Sequence, residues 1–333
     1  MTGLVQADAV ELPVADDTVD LVITSPPYFA LRSYQDDGDH YDGQIGSEAT
    51  PAEFLDALWD VTAECVRVLK PSGSLWVNLG DKYSRGQRPV GQPDQFRTSA
   101  DITYDDPKYI NSRRPENSGI PGKSLMGLPW RYAIGCIDDL VLILRAEVIW
   151  SKPNGLPESV TDRVRRSHEQ WFHFTLEPRY FSALDEIREP YTAPPAKAQP
   201  SKAFAAGATR NSALCPDHDL EHNPLGKLPG SVWSIPSEPL QVPDDLGVDH
   251  FAAFPQEWPR RLILGWCPPD GVVLDPFAGT GTVPMVARAL GRTGIGVDLS
   301  ADYLRLASWR VFESGHASKT VARTNGERQG LLL

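Results

Sequence analysis

Four consecutive residues, Ser25-Pro26-Pro27-Tyr28, carry the most chemistry in this 333-residue chain. They follow Asp20-Leu21-Val22-Ile23-Thr24, an apolar, β-branched run that predicts a buried strand. Proline donates no hydrogen bond to a ladder and fixes φ, so the strand must stop and the chain must turn in one stiff shape. Ser25 Oγ, the Pro26 carbonyl and the Tyr28 ring are then left at the carboxyl end of a strand. Open α/β sheets bind their ligands at that edge. Two acceptors beside one aromatic plate suit a flat group bearing an amine. A plain strand-to-turn exit accounts for the same residues without any chemistry.

A second stretch has the same form. Val272-Val273-Leu274 predicts a short strand, and Asp275-Pro276-Phe277-Ala278-Gly279-Thr280-Gly281-Thr282 leads from it into a helix over 283–290. Glycines let backbone close tightly over a ligand, and a helix start offers N–H groups to an anion. No lysine follows Gly281, which disfavours a Walker-type phosphate loop. A further strand over 294–297 ends at Asp298, where an acid is placed for ribose hydroxyls.

Together the two stretches resemble the amino-methylating DNA methyltransferases that use S-adenosylmethionine. The family's catalytic motif, (Asp/Asn/Ser)-Pro-Pro-(Tyr/Phe), is matched by Ser25 to Tyr28. Its cofactor loop, Asp-x-Phe-x-Gly-x-Gly, is matched by Asp275 to Gly281. Catalytic motif first and cofactor loop last resembles the β order, a circular permutation of the usual methyltransferase arrangement. Ser25 after Thr24 looks most like the cytosine-N4 enzymes. The run from Ile149-Trp150-Ser151-Lys152-Pro153-Asn154-Gly155 to Arg165-Arg166-Ser167-His168-Glu169 resembles that family's eighth motif, and residues 250–255 resemble its tenth.

The resemblance implies an α/β fold: a Rossmann-like, S-adenosylmethionine-dependent methyltransferase sheet in circularly permuted order, with an inserted target-recognition region. It implies S-adenosyl-L-methionine as cofactor, held by Asp8, Thr24, Phe254, Pro255, Asp275 to Thr282 and Asp298. Asp8 also reads as an ordinary turn residue. Ser25, Pro26, Pro27 and Tyr28 would be catalytic. Ser25 Oγ and the Pro26 carbonyl would accept the two amine hydrogens of a cytosine flipped out of duplex DNA, with Tyr28 stacked on the base. Adenine-N6 methylation is the alternative, because the same pocket geometry accepts either amine. A DNA- or cofactor-binding protein without catalysis is disfavoured by two intact motifs. An RNA or protein methyltransferase is disfavoured by the motif order.

The elements that position these residues follow from local pattern. Thr50-Pro51-Ala52-Glu53 is a capping-box start, and Phe54, Leu58, Val61, Cys65 and Leu69 recur at helical spacing. A strand over 74–79 places Asn78 and Asp81 near Ser25, where a polar group accepts a proton or orients the serine. Strands are expected over 140–144, 147–150 and 170–175, and helices over 128–137, 258–266 and 302–311. His168-Glu169 has the look of acid–base machinery, but reads better as structural, fixing the loop before the strand over 170–175.

Residues 82–124 read as a basic insert that interleaves Tyr83, Phe96, Tyr104 and Tyr109 with arginines and lysines. This suits a phosphate backbone and unstacked bases, or simply a solvated loop. Lys152, Asn154, Arg163, Arg165 and Arg166, with Arg113 and Arg114, are the candidate contacts to double-stranded DNA. Residues 177–230 read as a target-recognition insert. The methyltransferase domain is then 1–81, 125–176 and 231–315, with 316–333 a loose tail. Tyr34 and Tyr41 are candidates to close over a substrate, and read equally as loop anchors.

The net charge of -12 is awkward for a DNA binder, although local fields matter more than the sum. The 4 cysteines are scattered and read as free thiols. Cys215, His218 and His222 lack a fourth ligand at fitting spacing, so no metal is expected. Cytosine-C5 chemistry, which needs a cysteine after proline, is disfavoured. No apolar run reaches the length of a membrane span, and the expected location is cytoplasmic. A cognate restriction endonuclease is a candidate partner.

Overall fold

The computed structural model describes residues 2–30, 35–36, 39–40, 44–84, 119–155, 157–191, 223–240 and 254–313. Arg113, Arg114, Tyr34, Tyr41, Cys215, His218, His222, the tail and most of both inserts lie outside the described residues.

Strand β1 (Gly3–Gln6) opens the chain and β2 (Val19–Thr24) follows. The two-residue strands β3 (Gln35–Asp36) and β4 (Asp39–His40) pair only with each other. Helix α1 (Pro51–Val68) leads into β5 (Leu69–Leu79), and α2 (Leu128–Asp138) into β6 (Ile143–Ser151) and β7 (His168–Thr175). Strand β8 (Val232–Ser234) precedes α3 (Glu257–Trp266). The chain then runs β9 (Val272–Asp275), α4 (Thr282–Ala289), β10 (Thr293–Asp298) and α5 (Ala301–Ser308).

Eight strands form one sheet in the order β1-β10-β9-β2-β5-β7-β6-β8. Within it, β7 runs antiparallel to both its neighbours, and the other pairings are parallel. All six residues of β2 are buried, as the unbroken apolar run requires of a strand covered on both faces. Alternation splits its side chains between two cores. Val22 faces α1 and α2, whereas Leu21 and Ile23 face α3 and α4.

Helix α1 starts where its sequence says. Thr50 Oγ1 accepts from Glu53 N at 3.2 Å and Glu53 returns the bond to Thr50 N at 2.9 Å. Its inner face meets α2, where the Tyr132 hydroxyl lies 2.7 Å from Thr62 Oγ1. On the opposite face of the sheet tryptophans carry the packing. Trp258 on α3 stacks on Trp171 of β7 and on Trp233 of β8, with ring centroids at 4.7 and 4.8 Å.

Three expectations are corrected. The two strands over 140–144 and 147–150 are one strand, β6. Residues 140–142 instead close α2, with Leu140 N and Leu142 N donating to Gly135 O and Cys136 O. A register shift between Leu144 and Ala146 absorbs the break in the pattern. Strand β5 begins at Leu69 rather than 74, because Leu69 pairs with Val19 before a shift carries Pro71 past the ladder. The last helix is α-helical only to Ser308 and widens into a π-turn, Trp309–Glu313. That turn carries Arg310 inward. Cys65, Cys136 and Cys267 are buried free thiols, as expected.

Asp20 ties the start of β2 to its neighbours. Its carboxylate pairs with Lys70 at 2.8 Å and accepts from Val272 N at 2.9 Å. Asp20→Ala leaves that N–H without its acceptor in the sheet. It is expected to lower stability by about 2 kcal/mol in urea unfolding, with secondary structure retained.

Candidate active site

Ser25 leaves β2 directly beside β5, since Thr24 is in register with Val77 and the next pair is Ser25 and Asn78. Asn78 is fully buried. Its Nδ2 donates to Gln170 O at 3.1 Å, which fixes the amide's orientation. Asn78 Oδ1 is therefore an acceptor, and Ser25 Oγ donates to it at 3.2 Å. The serine's own hydrogen is used inward, and its lone pairs are left for a donor arriving from outside. The sequence places Asn78 here to orient Ser25, and the geometry has that form.

Tyr28 packs on Gly80, where an added Cβ would lie 2.7 Å from the ring. Its hydroxyl lies 2.9 Å from Asn78 Oδ1 and 2.9 Å from Glu169 Oε2. Glu169 is ion-paired in turn with Lys152, whose ammonium sits 4.0 Å over the Trp150 ring. The sequence offers Glu169, beside His168, as acid–base machinery but reads the pair as structural; its contact to Tyr28 spans 141 positions. Asp81 does not reach Ser25; its carboxylate accepts from the N–H groups of Gly127 and Leu128 and holds the start of α2.

The glycine-rich loop leaves β9, the strand on the other side of β2. Gly279 and Gly281 have φ of +47° and +73°, the left-handed region that glycine enters without strain. A Cβ on Gly281 would lie 2.8 Å from Ala307 Cβ, so α5 packs directly on the loop. Asp298 Oδ2 accepts from Gly279 N at 2.8 Å, and Oδ1 from Ser300 N at 2.9 Å. The acid predicted for ribose is thus also the clasp of the loop. Behind the loop, buried Arg310 donates to Thr280 O at 2.8 Å, to Thr280 Oγ1 at 2.5 Å and to Thr282 Oγ1 at 3.0 Å. Burial lowers the Arg310 pKa to about 10, which still leaves it charged at neutral pH. The sequence shows Arg310 only as part of an amphipathic pattern.

Asp275 is buried between these groups, with Oδ1 accepting from Phe277 N at 3.1 Å. Burial raises its pKa to about 7; the bond from Phe277 N opposes the rise, and the Asp298 charge adds to it. Helix α4 begins without a side-chain cap, so its first N–H groups suit an anion such as a carboxylate. Phe254 packs edge-on against Trp171 at 5.7 Å, just before α3. Asp8 is an exposed turn residue whose Oδ1 accepts from Val10 N at 3.1 Å. It follows β1 at the same sheet edge as Asp298. These residues fit a cofactor with an acidic end and a hydroxylated ring.

The basic residues are unequally placed. Asn154 exchanges two hydrogen bonds with the backbone of Ser237. Arg163 pairs with Glu158 at 2.7 Å and lies 3.8 Å over the Tyr83 ring. Arg166 is half-buried. Arg165 is exposed, with a bond to Gly155 O at 2.8 Å. Among the described residues, no group of histidines, cysteines and acids is arranged to hold a metal ion, and no helix is long and apolar enough to cross a membrane.

The family model described as DNA methylase, for N6- and N4-methylating enzymes, matches residues 19–308, a span that includes both motifs. The chain belongs to this DNA methylase family. Type II methyltransferase M.XycI of Xanthomonas campestris pv. cyanopsidis is 35% identical over 295 residues, covering 88% of this chain and 81% of its own. Among solved structures, the PvuII DNA methyltransferase (cytosine-N4-specific) superposes with a TM-score of 0.61 at 18% identity, over 97% of this chain and 92% of that one. A putative DNA modification methylase from Thermus thermophilus, complexed with S-adenosyl-L-methionine, gives 0.54 at 24% identity, over 94% and 96%. These two likenesses show that the methylase shares their fold.

The raised pKa of Asp275 has a stability signature. A carboxyl held neutral by the fold stabilises it below the unfolded value near 4, and that contribution fades as pH rises through about 7. The methylase is therefore expected to lose a few kcal/mol from this group between pH 4 and 7. Asp275→Asn should remove that slope in thermal melts across this range.

Proposed function

We propose that the methylase transfers a methyl group from S-adenosyl-L-methionine to the exocyclic N4 amine of a cytosine in duplex DNA. The observation that carries this reading is the polarity of Ser25. Asn78 takes the hydroxyl hydrogen, so Ser25 Oγ meets an amine as an acceptor. The Pro26 carbonyl is the second acceptor on the same turn.

The amine of cytosine is a poor nucleophile because its lone pair is delocalised into the ring. Two acceptors drawing on its two hydrogens favour a pyramidal nitrogen with the pair localised outward. The cofactor supplies an electrophilic methyl group on a sulfonium. Residues 275–282 and Asp298 would hold it, with the Phe254-Pro255 segment, and the uncapped start of α4 would suit its carboxylate. Tyr28, fixed by Gly80 on one side and by its hydroxyl at the tip, offers a plate to a base that has left the stack. The rate comes from positioning and electrostatics. Serine at the first motif position, and the cytosine-N4 specificity of the PvuII enzyme, support cytosine over adenine. The type II name of the Xanthomonas relative supports a site-specific enzyme with a cognate restriction endonuclease.

The deciding experiment incubates the protein with labelled S-adenosyl-L-methionine and unmodified duplex DNA, then digests the DNA to nucleosides. Label is expected in N4-methylcytosine; label in N6-methyladenine assigns the pocket to adenine. Ser25→Ala should lower turnover by roughly 10²-fold while cofactor affinity holds; parallel loss of both removes Ser25 from the chemistry. Arg165→Ala or Arg163→Ala should weaken DNA binding and flatten its salt dependence, and an unchanged salt slope removes that residue from the interface.

A further inference from the structure

One guanidinium nitrogen of Arg310 meets three oxygens behind the glycine loop. It donates to Thr280 O at 2.8 Å, to Thr280 Oγ1 at 2.5 Å and to Thr282 Oγ1 at 3.0 Å. Such a nitrogen only donates, so both threonine hydroxyls are acceptors toward it. Their own hydrogens must point elsewhere. Among the described residues, neither hydrogen meets an acceptor. Thr280 and Thr282 are 2% and 4% exposed, so each is a buried donor still to be matched.

Both donors stand where the loop becomes a helix. Thr280 lies between Gly279 and Gly281, and Thr282 is the first residue of α4. Gly281 brings no side-chain cap, and Pro284 has no N–H. The N–H groups of Thr282 and Val283 are therefore the ones without an intrahelical partner. Arg310 reaches this point on the π-turn Trp309–Glu313, a rare local geometry that concentrates at functional sites. Glu238, whose charge acts on Arg310, is exposed and accepts from Gln256 N and Nε2 at 3.1 Å each.

Resting on S-adenosyl-L-methionine as cofactor and on the carboxylate seat proposed at α4, we infer that Arg310 is the positioning residue for that carboxylate. It acts through the hydroxyls of Thr280 and Thr282. By occupying a lone pair on each oxygen it leaves both hydrogens free for an arriving acceptor, and its charge strengthens them as donors. A carboxylate at neutral pH accepts and never donates, so hydroxyl donors beside open N–H groups select it. Which base is methylated does not enter.

Cofactor-product binding without DNA tests this role. S-Adenosyl-L-homocysteine and its decarboxylated analogue differ by one carboxylate, and wild type should prefer the first. Arg310→Met should weaken S-adenosyl-L-homocysteine roughly 10- to 100-fold, the size of a hydrogen bond to a charged group, and change the analogue by less than about twofold. Arg310→Lys keeps a charge and donors without the planar fork, and should restore part of the preference. Thr282→Val removes one hydroxyl at nearly constant shape and should show the same selective loss, which keeps the role testable if Arg310→Met does not fold. Equal loss of both ligands in the variants, with the preference intact in wild type, makes Arg310 a scaffold of the loop and overturns the inference alone. An undiminished preference in Thr282→Val overturns it too. Wild type binding both ligands alike overturns the seat at α4 together with the inference.

Discussion

The site depends on β2 being paired on both sides and buried on both faces. Its register with β5 brings Ser25 to Asn78, and its register with β9, Leu21 to Val273 and Val22 to Leu274, brings its carboxyl end beside the start of the glycine loop. A slip of one residue would turn Leu21 and Ile23 out of the tryptophan-lined core and move both motifs at once. The prolines end the strand at a fixed point in that register, so the turn inherits its precision from the sheet. Two motifs at opposite ends of the chain become neighbours because their strands lie side by side.

Around the glycine loop the charges are arranged in depth. Asp298 holds one of its N–H groups, Arg310 holds its threonines from behind, and Asp275 lies buried at its base. Burial raises the Asp275 pKa to about 7, which lessens the negative charge beside the loop when an anion arrives. The chain's overall charge of -12 says little about this, because the groups that matter are few and buried.

Much of this is legible in the sequence where the cause is local. The β2 run, the Thr50–Glu53 capping box and the glycines after Asp275 each act over a few residues, and each stands where its pattern puts it. What is not legible is contact across the sheet. Nothing near Glu169 signals Tyr28, and nothing near Arg310 signals Thr280, because burial and register create those pairs. The basic run after Ile149 shows the same limit. A cluster of cations reads as one surface, yet folding turns Lys152 and Arg163 toward acids and leaves Arg165 at the exterior. Strand β6 reads as two strands because a helix closure and a register shift both interrupt periodicity without interrupting the strand.

Both inserts are closed at the base. Tyr83 bridges Leu125, with Ser84 N donating to Ser124 O, and Glu189 bridges Lys227, each donating its N–H to the other's carbonyl oxygen. Once the ends are clamped, the entropy of closing each excursion grows only slowly with its length. The sheet therefore does not register what is spliced between the clamps. Residues between the clamps can then change in number or charge at little cost to the strands that carry Ser25 and the glycine loop.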